Sequence, residues 1–170
     1  MDERALIAAQ LGRVPRGEWR VVARCVYGYP VVIATAPVLD NGTPFPTIFY
    51  LTCPHLLEAV SGLESSGEIK VWRARVAADP ALQALLSAAD LAYRAARSAE
   101  AGGEDPNPQV GIAGQRDPLG IKCLHAHVAS ALAGIDDPVG HGALAHLARE
   151  CDNERCAAFG TDRESGVEHT

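Results

Sequence analysis

The apolar residues of the chain change period at Cys53. Before it, short β-branched runs broken by turn residues read as strands over Trp19 to Cys25, Pro30 to Thr35 and Thr47 to Thr52. After it, Leu56, Leu57, Val60 and Leu63 recur at helical spacing, and helical patterns dominate the rest of the chain. Three strands in succession, with no helical crossover between them, favour antiparallel pairing. The expected fold class is therefore α+β: a small three-stranded antiparallel sheet followed by, and packed against, about four or five helices.

Turn residues punctuate this pattern. Tyr27-Gly28-Tyr29-Pro30 closes the first two strands into a hairpin, and Asn41-Gly42 marks a loop over 38–46. A short helix from Arg4 to Leu11 precedes the sheet. Asp79-Pro80 opens a helix whose stripe is Leu82, Leu85, Leu86, Ala89 and Tyr93. Residues 101–120 are rich in Gly, Pro and Asp and read as a long ordered loop or a lid lining the site. A further helix carries Ile121, Leu124, Val128 and Leu132. Asp137-Pro138 and Gly140 read as a turn before a last helix, His141 to Arg149. The expected organisation is one domain over 1–150 and a flexible, Cys-containing tail over 151–170.

Charge and hydropathy narrow the function classes. The net charge is −6 and no run of Lys or Arg appears, which argues against a nucleic-acid partner. Arg24, Arg116 and Lys122 are the cations that could hold a small anion. No stretch of about 18 apolar residues exists, so no membrane span is expected. The charged start Met-Asp-Glu-Arg is not a secretory leader, which points to the cytoplasm. In that compartment the five cysteines read as reduced thiols or metal ligands rather than a disulfide framework.

Chemistry then centres on cysteine and histidine. Cys53 stands at a strand-to-helix junction, where free backbone N–H groups favour a thiolate; the plain alternative is a small buried residue. Cys123 opens the run Cys-Leu-His-Ala-His, so one Cys and two of six histidines fall within five residues. On a helix Cys123 and His127 share a face. If the helix begins only after Cys123, then Cys123 and His125 converge instead. Cys25 ends the first strand, at a rim where strand ends and helix starts gather. The metal-ligand set expected is Cys25, Cys53 and Cys123 with His125 or His127, holding zinc, or as second choice an iron–sulfur cluster. A thiol-dependent enzyme with Cys53 or Cys123 as nucleophile is the alternative, and merely packed cysteines in a non-enzymatic interaction protein the third. Cys151 and Cys156 read as exposed thiols or a secondary site. No phosphate-binding glycine loop, Gly-x-Ser-x-Gly elbow or His-Glu-x-x-His motif occurs.

The runs ARCVYGYPVVIATAPVLDNGTPFPTIFYLTCP, LLEAVSGLESSGEI and GIKCLHAHVASALAG, with DDPVG after them, resemble domain of unknown function family 501, over roughly residues 8–142. The resemblance implies a small cytoplasmic bacterial protein, of a family well represented in actinobacteria. It also implies an association with phosphate metabolism or cell division, because genes of members can lie beside one for an exopolyphosphatase and one for a small division-septum protein. Members can carry His where this chain has Cys53, an exchange that suits a metal ligand better than a nucleophile. Cys25, Cys53, Cys123 and His125 fall inside the matched runs; Cys151 and Cys156 fall outside them.

Overall fold

The structure, a computed structural model, describes residues 2–160. Its sheet is antiparallel, in the order β1 (Trp19–Arg24), β2 (Pro30–Thr35), β3 (Phe49–Leu51). The hairpin closes where the Cys25 N–H donates to the Tyr29 carbonyl and the Gly28 N–H donates to the Cys25 carbonyl. Gly28 sits at φ 84°, a left-handed conformation that a side chain would strain. β3 is shorter than the run over 47–52, although Ile48 and Thr52 still bond to β2 through their backbones.

Alternation gives the sheet two faces. Val32 and Ala34, paired with Leu51 and Phe49, join the main core with Leu56, Val60, Leu86, Tyr93, Leu124 and Val128. Ile33 and its partner Tyr50 point the other way. Burying each large side chain of this core stabilises the fold by roughly 1.5–3 kcal/mol before entropy is counted.

Six α-helices occur among the described residues, so α+β holds while the expected four or five is slightly low. They are α1 (Glu3–Leu11), α2 (Pro54–Ser65), α3 (Glu68–Ala78), α4 (Pro80–Ala101), α5 (Leu124–Leu132) and α6 (Pro138–Leu144). None is long and apolar enough to cross a membrane. Asp79 caps α4 by accepting from Ala81 and Leu82, with Pro80 as the first helical residue. Asp137-Pro138, expected as a turn, does the same for α6: Asp137 Oδ1 accepts from the Val139 and Gly140 N–H groups at 3.0 Å each. The last helix therefore starts earlier and ends earlier than His141 to Arg149. Its two glycines hide it from propensity, and both have a steric reason to be there: a Cβ on Gly142 would lie 2.2 Å from the Trp72 ring. A Cβ on Gly140 would lie 2.1 Å from the His127 carbonyl oxygen, so only glycine lets α6 approach α5 this closely.

Residues 101–120 form an ordered loop clamped from beneath. Arg97 is fully buried and donates to both Asp105 carboxylate oxygens at 2.7 Å, to the Pro46 carbonyl at 2.9 Å and to the Asn107 carbonyl at 2.8 Å. That guanidinium holds the Asp105 carboxyl below its ordinary range. Asp90 accepts from the Ile112 N–H at 3.1 Å, pinning the far end of the loop.

The reading of Cys151 and Cys156 as exposed thiols is corrected. A 3-10 turn over Arg155–Gly160 packs against α1, Cys156 is buried and Cys151 half-buried. Gln10 Nε2 donates to Cys156 Sγ at 3.3 Å and to the Pro30 carbonyl at 2.9 Å, while Arg155 forks onto the Glu58 carboxylate at 2.6 and 2.7 Å. The rest of the expected tail, 161–170, lies outside the described residues.

Candidate metal centre

The last turn of α2 meets the first turn of α5. Cys123 occupies the position ahead of α5 with an extended backbone, φ −153° and ψ 123°, so the helix begins only at Leu124. That register brings Cys123 Sγ to 3.7 Å from His125 Nδ1. Glu64, from α2, places Oε1 at 3.2 Å from the same nitrogen. Its carboxylate is held there by the Leu124 N–H, one of the free donors of the α5 N-terminus, at 2.6 Å. Among the described residues these three ligand atoms, Glu64 Oε1, Cys123 Sγ and His125 Nδ1, lie within 4.8 Å of one another.

The proton on His125 can be placed by its neighbours. Nε2 lies 3.2 Å from the Leu57 carbonyl oxygen, which can only accept. It also lies 3.2 Å from Ser61 Oγ, whose own hydrogen is given to the Leu57 carbonyl at 2.8 Å. Both partners of Nε2 therefore accept, so Nε2 carries the hydrogen. Nδ1 is left facing a thiol sulfur and a carboxylate oxygen. Without a cation, the hydrogen-bonded Cys123 sulfur pushes His125 up to about 9 against the opposing effect of burial, with Glu64 and the Leu57 carbonyl adding to the rise. A proton or a metal ion is what this arrangement of atoms attracts.

The spacing fits zinc as well as it fits hydrogen bonds to a protonated imidazole. In a zinc tetrahedron with Zn–S about 2.3 Å and Zn–N and Zn–O about 2.0–2.1 Å, the S···N and N···O edges come to about 3.6 and 3.3 Å. The observed edges are 3.7 and 3.2 Å. A ligating histidine ordinarily donates its other ring N–H to a carbonyl or carboxylate, as His125 does to Leu57. Three protein ligands would leave a fourth position on a tetrahedral ion. Beside the cluster lies a cavity of about 470 Å³ lined by Cys123, His125 and Lys122 with Leu11, Arg13, Tyr50, Leu51 and Leu57, among others.

The other expected ligands are elsewhere. His127 is buried and turns to Asp137, Nδ1 to Oδ2 at 2.7 Å, tying α5 to α6. The reason is angular: with Cys123 ahead of the helix, His127 falls on the core side of α5 and His125 on the α2 side. Cys53 is buried ahead of α2. Burial pushes its thiol up, and the N–H groups of Leu56 and His55 offset only part of this, so the expected helix-start thiolate is not favoured. Cys151 and Cys156, not Cys123, are the sulfurs near enough to act on Cys53, and Cys25 acts on Cys156 in the same way. Cys25 and Cys53 thus stay outside the cluster. Of the three cations considered for an anion, Arg24 is engaged by Glu3 and the Gly28 carbonyl, Arg116 lines no described cavity, and Lys122 lines the one beside Cys123.

Glu64 is the member of the cluster that sequence reasoning missed. A carboxylate on the polar face of an amphipathic helix carries no signal by itself. Its only hint is that Ser61 and Glu64 stand three apart, on one face of α2.

No curated protein and no solved structure matches the chain. A family model does: residues 21–145, most of the chain, match "Protein of unknown function (DUF501)", and the chain belongs to that family.

Proposed function

We propose that this protein binds one zinc-like divalent ion through Cys123, His125 and Glu64, with the fourth position open to the adjoining cavity. The observation that carries the reading is the direction of the His125 ring. Its N–H is spent on Leu57 and Ser61, so Nδ1 faces the Cys123 sulfur and the Glu64 carboxylate at the edge lengths of a zinc tetrahedron. Three mixed ligands with an open position suit metal-activated water or a polarised carbonyl or phosphoryl oxygen, and the reaction class that follows is hydrolytic or lyase-like. Five free thiols fit a reducing compartment such as the bacterial cytoplasm.

Cobalt replacement tests this reading. The cobalt-loaded chain shows a thiolate-to-metal charge-transfer band that vanishes in Cys123→Ser and survives in Cys53→Ala. A cobalt spectrum without that band, or one lost only in Cys53→Ala, contradicts it.

A second reading is favoured by the same contact. Cys123 would be the nucleophile and His125 its base, with Nδ1 3.7 Å from the sulfur and the Nε2 hydrogen held by the Leu57 carbonyl. It predicts a metal-free protein in which Cys123 alone is alkylated rapidly at neutral pH and in which chelators change nothing.

A further inference from the structure

The chain carries 21 acidic and 15 basic residues, yet the cavity beside Cys123 and the one that adjoins it at Arg13 are lined by no acidic side chain. The cavity beside Cys123 is lined by Arg13 and Lys122. A second cavity, of about 380 Å³, is lined by Arg13 and Arg16. The two share Leu11, Arg13 and Tyr50, so they adjoin around the end of α1 and the β3 edge of the sheet. In an acidic protein, hollows whose charged lining residues are all Arg or Lys favour a ligand of the opposite charge.

These cations are also idle. Arg20, Arg24, Arg94, Arg97 and Arg155 all have carboxylate partners. Among the described residues Arg13, Arg16 and Lys122 have neither an ion pair nor a side-chain hydrogen bond. Both guanidinium groups nonetheless lie close enough to oppose the upward effect of burial on the Tyr50 phenol. The phenol ring stacks on Phe45, centroids 6.0 Å apart and planes within 7°, which gives the second cavity a flat apolar wall beside its charges.

We infer that the site takes a small organic anion, its carboxylate or phosphoryl group held by Arg13 and Arg16 and its apolar body directed past Tyr50 and Leu57 towards Cys123. Guanidinium forks match the paired oxygens of either group, and the two hollows have the volume of small-molecule sites. Lys122 lines the same cavity as Cys123 and His125 and adds a second cation to it. The body's position at the reacting end rests on the metal reading above; the anion contact at Arg13 and Arg16 does not.

The test titrates the full chain with phenyl phosphate, benzoate and benzyl alcohol, followed by NMR shifts of the amides at 11–14, 16 and 50, with zinc and again with a chelator. Both anions bind in both conditions, benzyl alcohol binds at least about tenfold more weakly, and Arg13→Gln or Arg16→Gln each weakens anion binding by about tenfold. Tighter phosphate than benzoate binding assigns the phosphoryl class, the reverse order the carboxylate class. Anion binding that persists through the arginines in a chain that never holds metal supports this inference while removing the metal reading. Anion binding that needs zinc and ignores both arginine changes overturns the inference and leaves the metal reading standing. Equal binding of the neutral alcohol overturns it as well. Both arginines are exposed, so neither change threatens the fold.

Discussion

Cys53 and Cys123 both stand one residue ahead of a helix, yet the structure treats them differently. Cys53 is 8% exposed and packs with Leu56, Val60 and the other core residues; burial raises its thiol more than the nearby N–H groups lower it. Cys25, Cys151 and Cys156 gather at the same corner, where Gln10, Tyr27, Tyr29 and Arg155 tie the chain end to the hairpin and α2. Cys123 is half-exposed, faces Nδ1 of a histidine whose Nε2 hydrogen is given to Leu57, and has a carboxylate alongside and a cavity in front. A helix start alone does not make a reactive or ligating thiol. What separates the two corners is whether polar partners converge before burial removes water.

The largest contrast should appear in alkylation of the metal-free protein. Cys53 and Cys156 exchange with solvent only through opening of the structure, so Cys123 should react at least about a hundredfold faster at pH 7.5. Because burial raises the Cys53 thiol, its rate should still be climbing above pH 9, where a thiol of ordinary acidity is levelling off. Comparable rates for the two residues, followed by mass spectrometry of the labelled peptides, would erase the distinction between the corners.

Chelation comes next. With free zinc at about a thousand times its dissociation constant, removing it should lower the unfolding free energy by about 4 kcal/mol. The loss should vanish in Cys123→Ala and persist in Cys53→Ala, as read by urea denaturation with and without chelator.

Substitution without metal reverses the ranking. Cys53→Ser buries a hydroxyl among apolar side chains and should cost about 1–3 kcal/mol, whereas Cys123→Ser should cost less than about 1 kcal/mol because its site is already polar. Denaturation midpoints of the two metal-free variants decide this, and equal losses would mean that Cys123 is also a packing residue. The smallest effect concerns the chain end. Arg155→Ala removes the fork onto Glu58 and should speed alkylation of Cys156 several-fold while leaving metal content unchanged.

Much of the fold was legible because local physics and tertiary context agree. The period change at Cys53 marks the end of the sheet, and Asp79-Pro80 announces α4. The identical Asp137-Pro138 signal was masked by Gly140 and Gly142, which are set by contact with other helices and not by helix propensity. At the site, Cys123 and His125 were legible from spacing, and which histidine turned towards the sulfur depended on a one-residue choice of helix start. Glu64 was not legible, since it reaches the cluster from 59 positions before Cys123 through the packing of α2 on α5. Nor were Arg13 and Arg16, which only the folded chain brings to one cavity beside Tyr50 and Phe45.

Metal content of the protein decides whether Cys123, His125 and Glu64 hold an ion. The protein, expressed with zinc and purified without chelator, should carry about one zinc ion per chain by elemental analysis. Cys123→Ala, His125→Ala and Glu64→Gln should each lose most of it, and Cys53→Ala and His127→Gln, where folded, should keep it. A folded wild type free of metal, or metal that departs with Cys53 and stays without Cys123, would contradict the account.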